Sequence, residues 1–123
     1  MGSRTVIESE YLQAKVSWAT SVNSNTIQIA PGRTYSIYVD KDFTGTKVFI
    51  ESWVEYPELP ADGALAAGEG RWVRRTLGGT DLEVATSADN IEYVPAEAFS
   101  GVSKIRLVAD VAQACTGLVL INT

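Results

Sequence analysis

The sequence predicts an all-β fold, an antiparallel β-sandwich of the jelly-roll or Ig-like kind, with about eight strands and one long loop around residues 55–70. Three observations predict it. Residues 34–40, Thr-Tyr-Ser-Ile-Tyr-Val-Asp, put Tyr35, Ile37 and Val39 on one face and Ser36, Tyr38 and Asp40 on the other, the period of two that a half-buried strand requires. Similar runs recur at intervals of roughly 8 to 15 residues, fenced by Gly, Pro, Asn and Asp. No internal repeat or low-complexity tract interrupts the pattern. A small closed barrel is the second architecture this pattern allows.

Taken in order, Thr5, Val6 and Ile7 read as a strand, whereas residues 8–14 tolerate a helical turn. From Lys15 the strand signal is clear, with Val16 and Trp18 on one face. Asn23, Ser24 and Asn25 form a turn cluster, and residues 26–30 form a short strand with Ile27 and Ile29 facing one way. Pro31-Gly32-Arg33 breaks the chain, because proline presets φ and glycine accepts positive φ. Residues 41–46 make a hairpin-sized connection to a strand over 47–54, where Val48, Ile50 and Ser52 oppose Phe49 and Trp53. The 55–70 region lacks a period and holds Pro57, Pro60, Gly63, Gly68 and Gly70; loops of this length tend to be functional or mobile.

Beyond it, residues 71–77 and 82–85 read as strands around a Gly78-Gly79 turn, and Asp89-Asn90 turns the chain into a strand over 91–94. Residues 95–101 suit one helical turn, with proline at its entry and glycine at its exit. Strands over 104–111 and 117–122 close the chain.

At 123 residues, 46% hydrophobic and 20% charged, the chain reads as one globular domain, residues 1–123. Ten basic and fifteen acidic side chains give a net charge of −5, which opposes adhesion to nucleic acid or anionic lipid. Neither a secretory leader nor a run of about 20 apolar residues is present, so a soluble chain made without classical export is expected. The single cysteine, Cys115, fits a small buried apolar position.

The chain has no histidine, which excludes Ser-His-Asp and Cys-His machinery and imidazole metal ligands. A carboxylate pair would suffice for glycoside chemistry, but the acidic residues fall mostly at turns and on faces turned to water. The expectation is a protein that is not an enzyme and uses no cofactor. Asp40-Lys41-Asp42, with Glu51 or Asp62 nearby, offers oxygen ligands to calcium, as an adhesion domain would use; no calcium-loop motif surrounds them, and solvated turn charges are the simpler reading.

Partner binding is the remaining chemistry. Tyr38, by alternation, and Tyr56, by its loop, are the aromatic residues best placed to be exposed, although aromatic residues more often fill sandwich cores. Arg71, Arg74 and Arg75, interleaved with Trp72, form the basic cluster of an acidic chain. It suits an acidic partner surface or a neighbouring subunit; a water-facing strand laced with internal ion pairs is the alternative.

Residues 95–110, Pro-Ala-Glu-Ala-Phe-Ser-Gly-Val-Ser-Lys-Ile-Arg-Leu-Val-Ala-Asp, lead into Gln113-Ala114 and then Leu118-Val119-Leu120-Ile121. This stretch resembles the ends of small β-sandwich structural proteins of tailed-phage virions, in which a short turn precedes a Lys-Ile-Arg-Leu-Val strand, a polar connection and a final hydrophobic strand. The resemblance covers residues 95–122 and carries no invariant functional residue. It implies a structural protein of the virion, made in the host cytoplasm: a capsid decoration or cement protein, a head-fibre component or a tail accessory. Its partners would be the major capsid or tail protein and further copies of itself in a homo-oligomer. The residues alone leave a second option, a carbohydrate-binding module that uses Tyr38, Tyr56 or Trp72 as sugar platforms.

Overall fold

A computed structural model describes residues 13–29, 33–55 and 70–122. The strand expected at 5–7, residues 8–12 of the helical turn allowed at 8–14, residues 31–32 of the break at 31–33, Tyr56 and the body of the 55–70 loop lie outside the described residues, whereas Gln13 and Ala14 belong to a strand and not to a helical turn. Within them the chain is built of short strands: β1 (Gln13–Ser17), β2 (Ser21–Asn23), β3 (Ile27–Gln28), β4 (Thr34–Val39), β5 (Lys47–Glu55), β6 (Gly70–Arg74), β7 (Thr76–Leu77), β8 (Thr80–Asp81), β9 (Glu83–Ala85), β10 (Asn90–Val94), β11 (Lys104–Gln113) and β12 (Thr116–Asn122). One turn of 3-10 helix, Ala96–Phe99, sits between β10 and β11, where proline entry and glycine exit place it.

All strand pairings are antiparallel. Sheet I has the order β1-β12-β4-β10. Sheet II has the order β2-β11-β5-β6, with β3 also on β11 and β9 also on β5. The registers show that β2 and β3 are two pieces of one strand along β11, and that β6 and β9 are two pieces of one strand along β5. The break between β6 and β9 is filled by the β7–β8 hairpin, whose Gly78 and Gly79 have φ of 62° and 83° as its tight turn demands. Counted this way the described residues form eight strands in sheets ordered 1-8-3-6 and 2-7-4-5. That is the jelly-roll arrangement, which decides between the two sandwich types the sequence allows.

The period of two in the sequence becomes the core. Ile37 and Val39 of β4, Val48 and Ile50 of β5, Ile105 and Leu107 of β11 and Val119 of β12 are almost fully buried between the sheets. Each such side chain contributes about 1.5–3 kcal/mol relative to exposure. Aromatic pairs plug the two ends. Trp18 packs on Phe43 with ring centroids 5.8 Å apart, and Tyr35 meets the edge of Phe99 at 4.7 Å. Cys115 is buried as expected, and its surroundings push the thiol up to about 11, chiefly through burial and further through the charges of Asp40 and Asp42.

One end of the sandwich is stitched together by side chains. A register shift in β11 between Val108 and Gln113 turns Asp110 and Gln113 toward the β4–β5 connection. There Thr46 donates to Asp110 through its hydroxyl at 2.8 Å, and the Thr44 N–H donates to Gln113 at 2.9 Å. Asp40 accepts from the Thr116 hydroxyl at 2.8 Å and from the Asp42 N–H at 2.9 Å. Among the described residues no helix is long and apolar enough to cross a membrane.

Candidate functional site

Because residues directly opposite in an antiparallel pair share a face, the registers define both outer surfaces of the sandwich. On sheet I, two rows cross the outer face. The first runs Lys15, Leu118, Tyr38, Ile91, and the second runs Gln13, Leu120, Ser36, Tyr93. The rows end on β10, the edge strand, where Ile91 is 62% and Tyr93 59% exposed. Those two values mark the place where this sheet offers apolar surface to water.

Tyr38 stands in the middle of the first row, half-buried, and its hydroxyl donates a 2.9 Å hydrogen bond to Asp89. That bond, together with burial and the charges of Asp89 and Asp40, holds the phenol above its ordinary pKa. The same bond ties the Tyr38 ring to the turn that precedes β10. The result is an apolar and aromatic surface, Tyr38, Ile91 and Tyr93, mounted on hydrogen-bonded strands. Strand mounting gives such a surface a defined shape before any partner arrives.

The outer face of sheet II has more aromatic area but a different character. Phe49, Glu51 and Trp53 of β5 lie beside Trp72 and Arg74 of β6 and Arg106 of β11. Glu51 is held from both sides, by Arg74 Nε at 3.2 Å and by Arg106 Nη2 at 2.7 Å. The two guanidinium groups then lie over rings, Arg74 at 4.4 Å from the Phe49 centroid and Arg106 at 4.7 Å from that of Trp72. Trp53 meets the edge of Trp72 at 5.5 Å. This face is thus occupied by its own cations, and a sugar ring would have to displace Arg106 to stack on that side of Trp72.

The basic cluster of residues 71–75 does not form one patch. Trp72 and Arg74 belong to the outer face of sheet II, and Arg74 also reaches Asp81 at 3.5 Å. Arg71 pairs across from Val54, so it has the opposite side-chain parity, and it is exposed. Arg75 leaves the strand and binds the 3-10 turn, donating to the carbonyl oxygens of Glu97, Ala98 and Ser100, each at 3.0 Å. Tyr56 lies outside the described residues. Among the described residues singled out from sequence, Tyr38 alone lies on the open face of sheet I, and Trp72 and Arg74 meet on sheet II.

Around Asp40 the geometry is that of a turn. Its carboxylate faces Thr116 and Asp42 N–H, while Glu51 is on sheet II with the arginines and Asp62 lies outside the described residues. Among the described residues no group of three or more His, Cys, Asp or Glu side chains could hold a metal ion. Ile91 and Tyr93, the most exposed large apolar residues of the face, are not singled out by the sequence. The signal that finds them is parity: Val94 is core, so Glu92 shares its inner face and the two apolar neighbours point outward. No protein-family model, no curated protein and no solved structure matches this chain.

Proposed function

We propose that the chain is a non-enzymatic structural protein of a phage virion, a capsid decoration or cement, head-fibre or tail accessory component, acting through protein–protein contacts and self-association. The observation that carries this reading is the open outer face of sheet I, where Tyr38, Ile91 and Tyr93 lie together at the edge of a rigid sheet. Covering Ile91 alone is worth about 1.5–3 kcal/mol at full burial, and tyrosines are among the favoured anchors of partner interfaces.

The resemblance of residues 95–122 to virion proteins supplies the setting. Jelly rolls serve both capsids and lectins, so the fold is compatible with the reading without selecting it. The major capsid or tail protein and further copies of this chain are the partners it names. A net charge of −5 favours contacts with protein over packaged nucleic acid.

A glycan-binding module keeps Tyr38 and Tyr93 as rings but fits less well. Ile91, between them, offers a sugar no hydrogen bond, and Trp72 lies under Arg106. The deciding experiment is antibody-gold electron microscopy of purified particles of the phage that encodes this chain. Regular labelling of capsid or tail is expected. Unlabelled particles, with the protein left in the lysate supernatant, would overturn the reading. Oligosaccharide binding lost in Tyr38→Ala and Tyr93→Ala would replace it with the second.

A further inference from the structure

Edge strands expose main-chain donors and acceptors, and proteins guard them with charges, prolines, bulges or breaks. Among the described residues the two sheets have four edges, and these are guarded unequally. On sheet I, β1 carries exposed Lys15 at its centre. On sheet II, the β2–β3 edge is interrupted at residues 24–26, and the β6–β9 edge is interrupted by the β7–β8 hairpin and carries Arg71 and Arg74. By contrast β10, Asn-Ile-Glu-Tyr-Val, runs unbroken without proline, carries Glu92 at its centre as its one charge, and has two exposed apolar side chains. Among the described residues it pairs with β4 alone.

We propose that β10 pairs with the β10 of a second copy of this chain, antiparallel about a two-fold axis at Glu92. A two-fold axis normal to the sheet keeps the two outer faces on one side, so it must pass through a residue that opposes itself. Three residues can take that place. Centring on Ile91 sets Tyr93 against the partner's Asp89, which has φ of 58° and is not extended. Centring on Tyr93 sets Ile91 against the partner's Pro95, which has no N–H to give. Centring on Glu92 pairs all five residues, Asn90 with the partner's Val94 and Ile91 with the partner's Tyr93, each twice. The apolar patches of the two copies thereby meet side by side on one continuous outer face, and the two four-stranded sheets I become one sheet of eight.

Glu92 opposes the partner's Glu92 in this register. It is half-buried on the inner face, and like charges directly opposite weaken a strand pair. The pairing is therefore reversible and moderated at its centre, as suits copies that must also find a particle.

The inference deepens the assembly reading above, and the two can fail separately. Sedimentation of the full chain from micromolar to millimolar concentration should show a reversible dimer. Ile91→Lys and Tyr93→Lys should weaken it at least about tenfold with unchanged melting temperature, and Glu92→Gln should tighten it several-fold. In Glu92→Cys, mild oxidation should join the two copies through residue 92, because opposed Cα atoms lie roughly 4.5–5.5 Å apart, within disulfide reach; buried Cys115 does not compete. A parent that stays monomeric, a dimer indifferent to Ile91→Lys, or a dimer in which residue 92 does not cross-link would each overturn the pairing. A monomer that decorates the particle sinks the pairing alone; a β10 dimer absent from the particle sinks the virion reading alone.

Discussion

Gly117 of β12 passes so close to the main-chain carbonyl of Tyr38 on β4 that a Cβ at position 117 would overlap its oxygen. The neighbouring obstacle is backbone, so it cannot rotate away as a side chain would. Gly117→Ala should cost about 1–3 kcal/mol, the usual penalty for overpacking a close-packed region. Urea denaturation measures it, and a loss under about 0.5 kcal/mol would mean that the strands slide apart without resistance. Since Tyr38 is displaced directly, the variant should also weaken any contact made by the outer face of sheet I.

Glu51 concentrates the charge chemistry of sheet II. Its carboxylate answers two guanidinium groups that are themselves pressed onto Phe49 and Trp72. The side chain is only 13% exposed, so water replaces it poorly. Glu51→Ala should lose about 1–3 kcal/mol, more than a typical surface ion pair, because Arg106 is left without its carboxylate and Arg74 keeps only the longer 3.5 Å contact with Asp81. Chemical denaturation at low and at high salt checks this. A loss that vanishes in high salt would show an ordinary screened surface pair instead.

What the sequence makes legible here is the inside of the sandwich. The alternation in β4 and β5 places Ile37, Val39, Val48 and Ile50 correctly because burial is a property of single strands. The outside depends on neighbours far along the chain. Arg106 covers Trp72 only because β11 and β6 flank β5, and no local pattern states that order. In the same way Arg75 reads from sequence as part of a basic patch, whereas the topology brings residues 97–100 against it. Tyr38 was recoverable since alternation alone turns it outward. Ile91 was harder, because the edge position of β10 is what leaves it uncovered.

Arg75 holds the 3-10 turn by three carbonyl oxygens, one bound by Nε and two by Nη2 of its planar fork. Lysine supplies a single ammonium and cannot reproduce that fork. Arg75→Lys should therefore destabilise nearly as much as Arg75→Ala, each by about 1–3 kcal/mol. Phe99, at the end of the turn and in edge contact with Tyr35, should loosen with it. Hydrogen exchange at Ala98 and Ser100, whose N–H groups close the turn, is the local measurement. Full protection at those two amides in Arg75→Ala would assign the turn's stability to its core contacts alone.

Acid should unpick the stitched end of the sandwich first. Burial acts to raise the pKa of Asp40, but the Thr116 hydroxyl, the N–H groups of Asp42 and Thr116 and the charge of Lys41 outweigh it and hold the carboxyl below its ordinary value. Asp110 follows the same course: burial opposes ionisation, and hydrogen bonds from the Thr46 hydroxyl and from main-chain N–H groups of Thr46, Lys47 and its own residue prevail. With folded pKa values below unfolded ones, the unfolded chain binds more protons as the solution is acidified, so stability falls with pH. The contribution is complete above the ordinary aspartate value of about 4 and is lost as pH drops through the depressed folded values. Thermal melts between pH 7 and pH 2 should show a decline setting in below about pH 4. Asp40→Asn combined with Asp110→Asn should be less stable than the parent at pH 7 and should show a shallower decline, since two of the groups that drive it no longer titrate. A double variant that keeps the parent's full acid slope would place the acid-sensitive groups elsewhere in the chain.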